Sequence, residues 1–195
     1  MAGKRTLIIM GHPDQESYCG ALANYYAAGV QQAGAPLRRI DLGFLEFDPV
    51  LHKGYKEIQP LEPGLQRAQA DITWAQHVVF VYPLWWGSMP ALLKGFLDRV
   101  FVPGFGFQFH GDESLMWDGL LKGRSARLII TSDGPPLILR LLYQSPGIHM
   151  MKGMTLEFCG VRPVRVSQVG SVKLATRARK LKWKMDMEDL GYRQR

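Results

Sequence analysis

Cysteine is scarce in this 195-residue chain, which has two, Cys19 and Cys159. Their separation fits neither a zinc-ligand spacing nor a disulfide framework, so reduced thiols in a cytoplasmic protein are the simplest expectation, with no metal site. Long apolar runs are missing as well. No stretch approaches the ~20 residues that span a bilayer. The opening MAGKRTLIIMGHPD has an apolar run of about five residues before Gly, His, Pro and Asp, which does not read as a signal peptide. Internal repeats and low-complexity linkers are lacking, so a single domain over 1–195 is expected. The first glycine-containing loop has neither G-x-G-x-x-G nor a Walker lysine, which excludes both common nucleotide fingerprints. Acid is in short supply, giving a formal net charge of +7. The excess gathers in KLATRARKLKWK at 173–184, with six basic side chains and no acid. A solvated helix face is the plainer reading of that cluster. A phosphate or nucleic-acid strip is the alternative, but no recognised nucleic-acid motif accompanies it, and no nucleic-acid partner is expected.

What is present is an alternation of short apolar runs with helical patterns. RTLIIM at 5–10, PLRRID at 36–41, HVVFVY at 77–82, ARLIIT at 126–131 and PVRVSQ at 163–168 read as five strands. Between the first two, Ser17 can cap a helix whose Leu22, Tyr25, Tyr26, Val30 and Ala33 recur at helical spacing, ending at Gly34. Residues 64–76 place Leu65, Ala68, Ile72 and Ala75 on one face. The segment PALLKGFLDRVF does the same with Leu93, Phe96, Leu97 and Val100, and Pro90 suits its first turn. Residues 43–61 and the glycine- and aromatic-rich 103–123 read as loops. Residues 137–158 read as partly helical, broken at Pro146 and Gly147, and 173–190 as a last helix.

Strands alternating with helices imply a parallel sheet covered on both faces, and right-handed crossovers leave few topologies. The expected α/β architecture is a flavodoxin-like five-stranded sheet of order 2-1-3-4-5, with helices on both faces and a ligand beyond the carboxyl ends of strands 1 and 3. Three loops stand there: GHPDQES, PLWWGSM and TSDGPP. In the first, His12, Ser17 and a helix N-terminus suit a phosphate, although Ser17 as a simple cap and His12 as a turn residue explain the spacing equally well. In the second, two adjacent tryptophans sit on a turn. A flat aromatic ligand needs backbone donors at its edge and a wall for its face; one indole can be that wall while the other packs beneath the turn. Both tryptophans as core or interface residues is the competing reading. Ser-Asp-Gly in the third is a common turn.

The stretch YPLWWGSMPALLKGFLDRVFVPGFGF resembles the F/Y-P-x-x-W-x-x-x-P-A-x-L-K-x-x-x-[DE]-R-V-F signature of the flavodoxin-like NAD(P)H:quinone oxidoreductase family, which includes DT-diaphorase and bacterial relatives. LIIMGHPDQES, DLGFLEFDPVL and LEFCGV are similar to other family segments, and the resemblance covers roughly residues 5–170. It implies a bound flavin, FAD before FMN, and NAD(P)H as hydride donor. By the same resemblance His12, Ser17 and Tyr18 would hold the phosphate portion. Pro83, Leu84, Trp85, Trp86 and Gly87 would hold the isoalloxazine from one side, and Thr131, Ser132, Asp133 and Gly134 from the other. Phe107, Phe109 and Phe158 would line the acceptor site of a partner subunit in a homodimer. Trp85, Tyr143 and Arg140 are the expected catalytic set. Animal members carry a Tyr and a His beyond a Thr-Thr-Gly-Gly loop; here that loop has Asp133 for a glycine, and Tyr143, His149 and Arg140 follow it. An Arg or a backbone N–H at such a place stabilises a reduced anion electrostatically. The implied reaction is a ping-pong relay of hydride through flavin to quinones or other small aromatic acceptors. The alternative is an ancillary regulatory flavoprotein subunit of a membrane potassium-efflux system, docked through the basic 173–184 segment. An electron-transfer flavodoxin is disfavoured, since those proteins are usually acidic.

Overall fold

The computed structural model describes residues 3–111 and 114–194. Five parallel strands form one sheet: β1 (Thr6–Met10), β2 (Leu37–Asp41), β3 (His77–Pro83), and, after a small hairpin, β6 (Ser125–Thr131) and β7 (Val164–Val169). Their order is β2-β1-β3-β6-β7, so all five expected strands and the expected 2-1-3-4-5 order are found. The three central strands are buried along their whole length, as continuous apolar runs in a parallel sheet require.

Side chains alternate across the pleat, and each face has its own core. Ile8, Met10, Val79, Val81 and Ile129 point to α1 (Tyr18–Gln32) and to α6 (Arg177–Tyr192). Leu7, Ile9, Phe80, Leu128 and Ile130 point to α2 (Pro63–Trp74) and α3 (Ala91–Val100). The expected apolar faces of α2 and α3 are buried at every residue named above. In α1, Leu22, Tyr26 and Val30 are buried, while Tyr25 and Ala33 are only partly covered. Ser17 caps α1 as expected, its Oγ accepting from Gly20 N at 3.2 Å. Glycine lets α1 and α6 meet: a Cβ at Gly29 would stand 1.9 Å from Glu188 O.

Two parts of the chain depart from the sequence reading. The segment taken as loop at 103–123 contains an antiparallel hairpin, β4 (Phe107–Phe109) paired with β5 (Trp117–Gly119). The break in 137–158 falls not at Pro146 but just before it. Helix α4 (Pro136–Tyr143) ends at Gln144 and Ser145, both left-handed at φ 55° and 50°. Pro146 then opens the short α5 (Pro146–His149), where its fixed φ fits. A π-helix follows over Met150–Glu157.

Candidate functional site

At the sheet's carboxyl edge the segments that follow β3, β6 and β7 enclose a cleft of about 270 Å³. From β3 come Pro83, Leu84, Trp85 and Gly87; from β6 come Thr131, Ser132, Asp133 and Gly134; Leu139 and Val172 complete the lining. Of the twelve residues expected to hold the cofactor, the nine expected around a flat ring belong to the β3 and β6 turns, and all but Trp86 line this cleft; His12, Ser17 and Tyr18, expected at the phosphate portion, do not.

Backbone hydrogen bonds hold the two turns in register. Leu84 N donates to Thr131 O at 2.7 Å, extending the β3–β6 pairing by one residue. Trp85 and Ser88 exchange both N–H···O bonds, at 2.8 and 2.9 Å. The residues between them, Trp86 and Gly87, have φ 50° and 76°. A tight turn with both central residues in the left-handed region needs glycine at one of them and strains a tryptophan at the other. Among the described residues, the N–H groups of Trp86, Gly87, Asp133 and Gly134 meet no acceptor, and all of these residues but Trp86 line the cleft.

The paired indoles divide their roles differently from the expectation. Trp85 is 45% exposed, lines the cleft and meets the His12 ring edge-on, with centroids 5.3 Å apart. Trp86 does not pack beneath the turn; at 104% relative exposure its indole stands in solvent. The left-handed backbone swings it outward, a direction that residue order alone does not reveal.

Around the β1 loop, Asp14 N donates to His12 Nδ1 at 2.9 Å and Ser17 Oγ donates to Asp14 O at 2.6 Å. The His12 ring itself is half-buried beside Trp85. The first-turn N–H groups of α1 have no intrahelical partner and carry the positive end of its dipole. Tyr18 contributes only its N–H there. Its hydroxyl donates to Lys180 O at 2.9 Å and burial pushes it up to about 12, so the ring belongs to the α1–α6 contact. Below the cleft, Cys19 Sγ lies 3.2 Å from Thr131 Oγ1, and burial raises its thiol to about 11, so it stays protonated and serves as floor.

Val172 and the short segment that carries it were not anticipated from the sequence. Ser132 N donates to Val169 O at 2.9 Å, Val172 N to Ser132 O at 3.1 Å, and Lys173 N to Asp133 Oδ1 at 3.1 Å. Asp133 thus fastens the chain after β7 against the β6 turn. The only sequence signal was Gly170, where a Cβ would stand 2.2 Å from Pro136 Cδ.

Arg140 and Tyr143 lie on α4, exposed and outside the cleft lining; Tyr143 is 64% exposed. No residue of α4 is buried. Its neighbour α5 does reach the site, because a Cβ at Gly147 would stand 2.4 Å from Gly87 O and 2.9 Å from Leu84 Cδ1. His149, two residues on, is exposed. Gly147→Ala is therefore expected to displace the β3 turn and weaken ligand retention about tenfold, taking overpacking at its milder end of ~1.4 kcal/mol. Titration of flavin fluorescence against both proteins measures this, with thermal melts showing that the sheet is intact.

The three phenylalanines form a separate group. Phe107 is buried against Phe109 and Phe158, with centroids 5.4 and 5.0 Å away, and Trp117 stacks on Phe158 at 4.6 Å. Phe107 and Phe158 line a second, more apolar cavity of about 390 Å³ with Tyr55 and Met154, and none of the three lines the first cleft.

A family model described as Flavodoxin-like fold matches residues 4–186. An uncharacterized NAD(P)H oxidoreductase of Haemophilus influenzae is 31% identical over 86% of this chain and 84% of its own length. The human ribosyldihydronicotinamide dehydrogenase [quinone] is 29% identical over 83% of this chain and 79% of its own. The chain belongs to the flavodoxin-like NAD(P)H:quinone oxidoreductase family. As a member of that family it is an oxidoreductase. Among solved structures, an FMN-dependent NADH-azoreductase from Bacillus anthracis, in complex with FMN, superposes with a TM-score of 0.74 at 19% identity, covering 98% of this chain and 99% of that one; this likeness concerns the fold. In this quinone oxidoreductase family member no described helix is long and apolar enough to cross a membrane, and the described residues hold no cluster of three or more metal-ligating side chains.

Proposed function

We propose that this chain is a flavin-dependent NAD(P)H oxidoreductase that passes hydride to quinones or similar flat aromatic acceptors. The observation that carries the reading is the cleft between the β3 and β6 turns, beside the topological switch of β1 and β3, walled by Trp85 and bordered by Gly87, Asp133 and Gly134, whose N–H groups meet no acceptor among the described residues. Those residues fit an isoalloxazine. Peptide donors match the polar edge of such a ring and an indole matches its face. When bound, the flavin would supply two-electron redox chemistry between nicotinamide and acceptor.

The protein's own part is binding, orientation and charge. Gly87 lets the main chain come close to a planar ligand without a side chain intervening. The uncommitted amides act as fixed dipoles where negative charge would develop, at no reorganisation cost. Trp85 and His12 shield the far wall. The free N–H groups at the start of α1, with His12, favour a phosphate group; the Ser17 hydroxyl, which donates to Asp14 O, would have to turn to join them. We assign FAD rather than FMN, with a ping-pong order in which donor and acceptor use one place in turn. The α4 face, with Leu137, Leu141, Leu142 and Tyr143 each more than 60% exposed, and the solvent-standing Trp86 support a homodimer. Such pairing would bring the phenylalanine group to a partner's cleft.

The purified protein is expected to be yellow, absorbing near ~450 nm, and to oxidise NADH or NADPH with a quinone along parallel initial-velocity lines. A colourless protein that takes up neither FAD nor FMN would refute the assignment. Mass analysis of the released cofactor decides between the two flavins. Trp85→Ala is expected to weaken flavin binding by about 1 kcal/mol, roughly fivefold, from lost stacking. Equilibrium titration of the apoprotein checks this value.

A further inference from the structure

Helix α6 is apolar on two sides. Its inner side meets α1 through Trp183, Met187 and Leu190. Its outer side carries Leu181 at 50% and Met185 at 59% relative exposure, one helical turn apart, and Leu174, 85% exposed, lies in the turn before the helix. Apolar side chains at this spacing on a solvent face have no role in the core.

Cations lie near them. Lys173, Arg177, Arg179 and Lys182 are exposed and Lys180 and Lys184 partly so. Arg179 leans over the Trp183 ring at 4.9 Å and Lys184 over the Tyr25 ring at 5.6 Å, on the side that faces α1. Of the six, only Lys182 forms an ion pair among the described residues, with Asp186 at 3.0 Å. The acids of α6 lie in its second half, where Asp189 pairs with Arg193 and Glu188 meets Gln32. The leading half and the turn before it therefore present Leu and Met side chains beside cations without an ion pair, Lys173, Arg177 and Lys180. An acidic protein would satisfy the charge but gives no reason for three exposed apolar tips. An anionic lipid surface satisfies both, taking the tips into the acyl boundary and the cations at the headgroups.

We infer that the leading half of α6 and the segment before it form a docking surface for an anionic lipid bilayer. The chain would rest on the bilayer rather than enter it. The surface continues into the cleft: Leu174 is two residues from Val172 in the cleft wall, and Lys173 N is held by Asp133 at its rim. Docking would then turn the cleft mouth toward the headgroups, where an apolar acceptor dissolved in the bilayer is concentrated. That last consequence rests on the proposed quinone reaction; the docking itself does not.

Cosedimentation of the full-length protein with phosphatidylglycerol–phosphatidylcholine vesicles tests the docking without reference to turnover. Binding to the anionic vesicles, little binding to pure phosphatidylcholine, and a fall on raising salt are expected. Leu174→Ser/Leu181→Ser/Met185→Ser should weaken partitioning at least fivefold, and Lys173→Gln/Arg177→Gln should do so about tenfold, with melting temperatures and flavin content unchanged. Absence of vesicle binding overturns the inference. Binding that ignores loss of the three apolar side chains overturns it too, since simple charge attraction would then suffice. Failure of NAD(P)H oxidation with intact vesicle binding would strike the proposed reaction and leave the docking standing.

Discussion

Replacing Arg99 by methionine is expected to cost about 3 kcal/mol of stability, the low end for breaking a buried ion pair, since Glu62 keeps part of its surface in water. Arg99 is 1% exposed on the inner face of α3. Its guanidinium donates to Glu62 Oε2 at 2.9 Å, to Pro60 O at 2.8 Å, and to Asp48 O. Partial burial of Glu62 disfavours its charge, yet the Asp48 N–H, its own N–H and Arg99 outweigh that and hold its carboxyl below the ordinary range. Four chain segments are tied by one side chain: α3, the start of α2, and both ends of the irregular stretch between β2 and α2. Methionine fills the volume but leaves two carbonyls and a carboxylate without their donor. Chemical denaturation should show the loss, and limited proteolysis should open the 48–60 stretch first. Arg99→Met/Glu62→Gln should recover part of the deficit, because the stranded charge is gone. An unchanged denaturation midpoint in the single variant would remove Arg99 from this role.

Acid is expected to destabilise the fold through His77. The ring is buried, with Nε2 3.0 Å from Tyr26 Oη and Nδ1 2.8 Å from Ser125 Oγ. Burial, then the positive charges of Lys4, Arg127 and Arg165, lower it from 6.5 to about 3. The folded chain therefore keeps His77 neutral where the unfolded chain is protonated. Stability from this source is whole above the unfolded value and is lost as pH falls from about 6.5 towards 3, by up to about 5 kcal/mol at ~1.4 kcal/mol per pKa step. Urea midpoints measured across that range should fall more steeply for the native protein than for His77→Gln, whose amide can keep hydrogen bonds to the same hydroxyls without titrating. Parallel curves for the two proteins would show that His77 does not set the acid limit.

Much of this architecture is legible in the residues. The runs LIIM, VVFVY and RLII mark central strands because a parallel strand covered on both faces admits few polar side chains. Leu65, Ala68, Ile72 and Ala75 mark a helix face because burial repeats every turn. The β3 and β6 turns of the cleft followed from topology, since ligands of a parallel sheet bind beyond the carboxyl ends of its strands, but the β1 loop expected to share the site does not line it. Other features were not legible. Strands of three residues, such as Phe107–Phe109, carry too few alternations to register as a pattern, and neighbouring glycines read as loop. The orientation of Trp86 depends on a left-handed backbone that is rare for tryptophan. Val172 entered the cleft wall through main-chain bonds to Ser132, which any residue could have made.

Helix α4 has eight residues and buries none of them. A helix so short is marginal in water without packing, yet its Leu139 closes one side of the cleft. In the homodimer proposed above, the finished wall would depend on company. On that proposal, specific activity should decline on dilution and return on concentration, so that catalytic competence follows the abundance of the chain itself; activity per molecule that ignores dilution would count against the pairing.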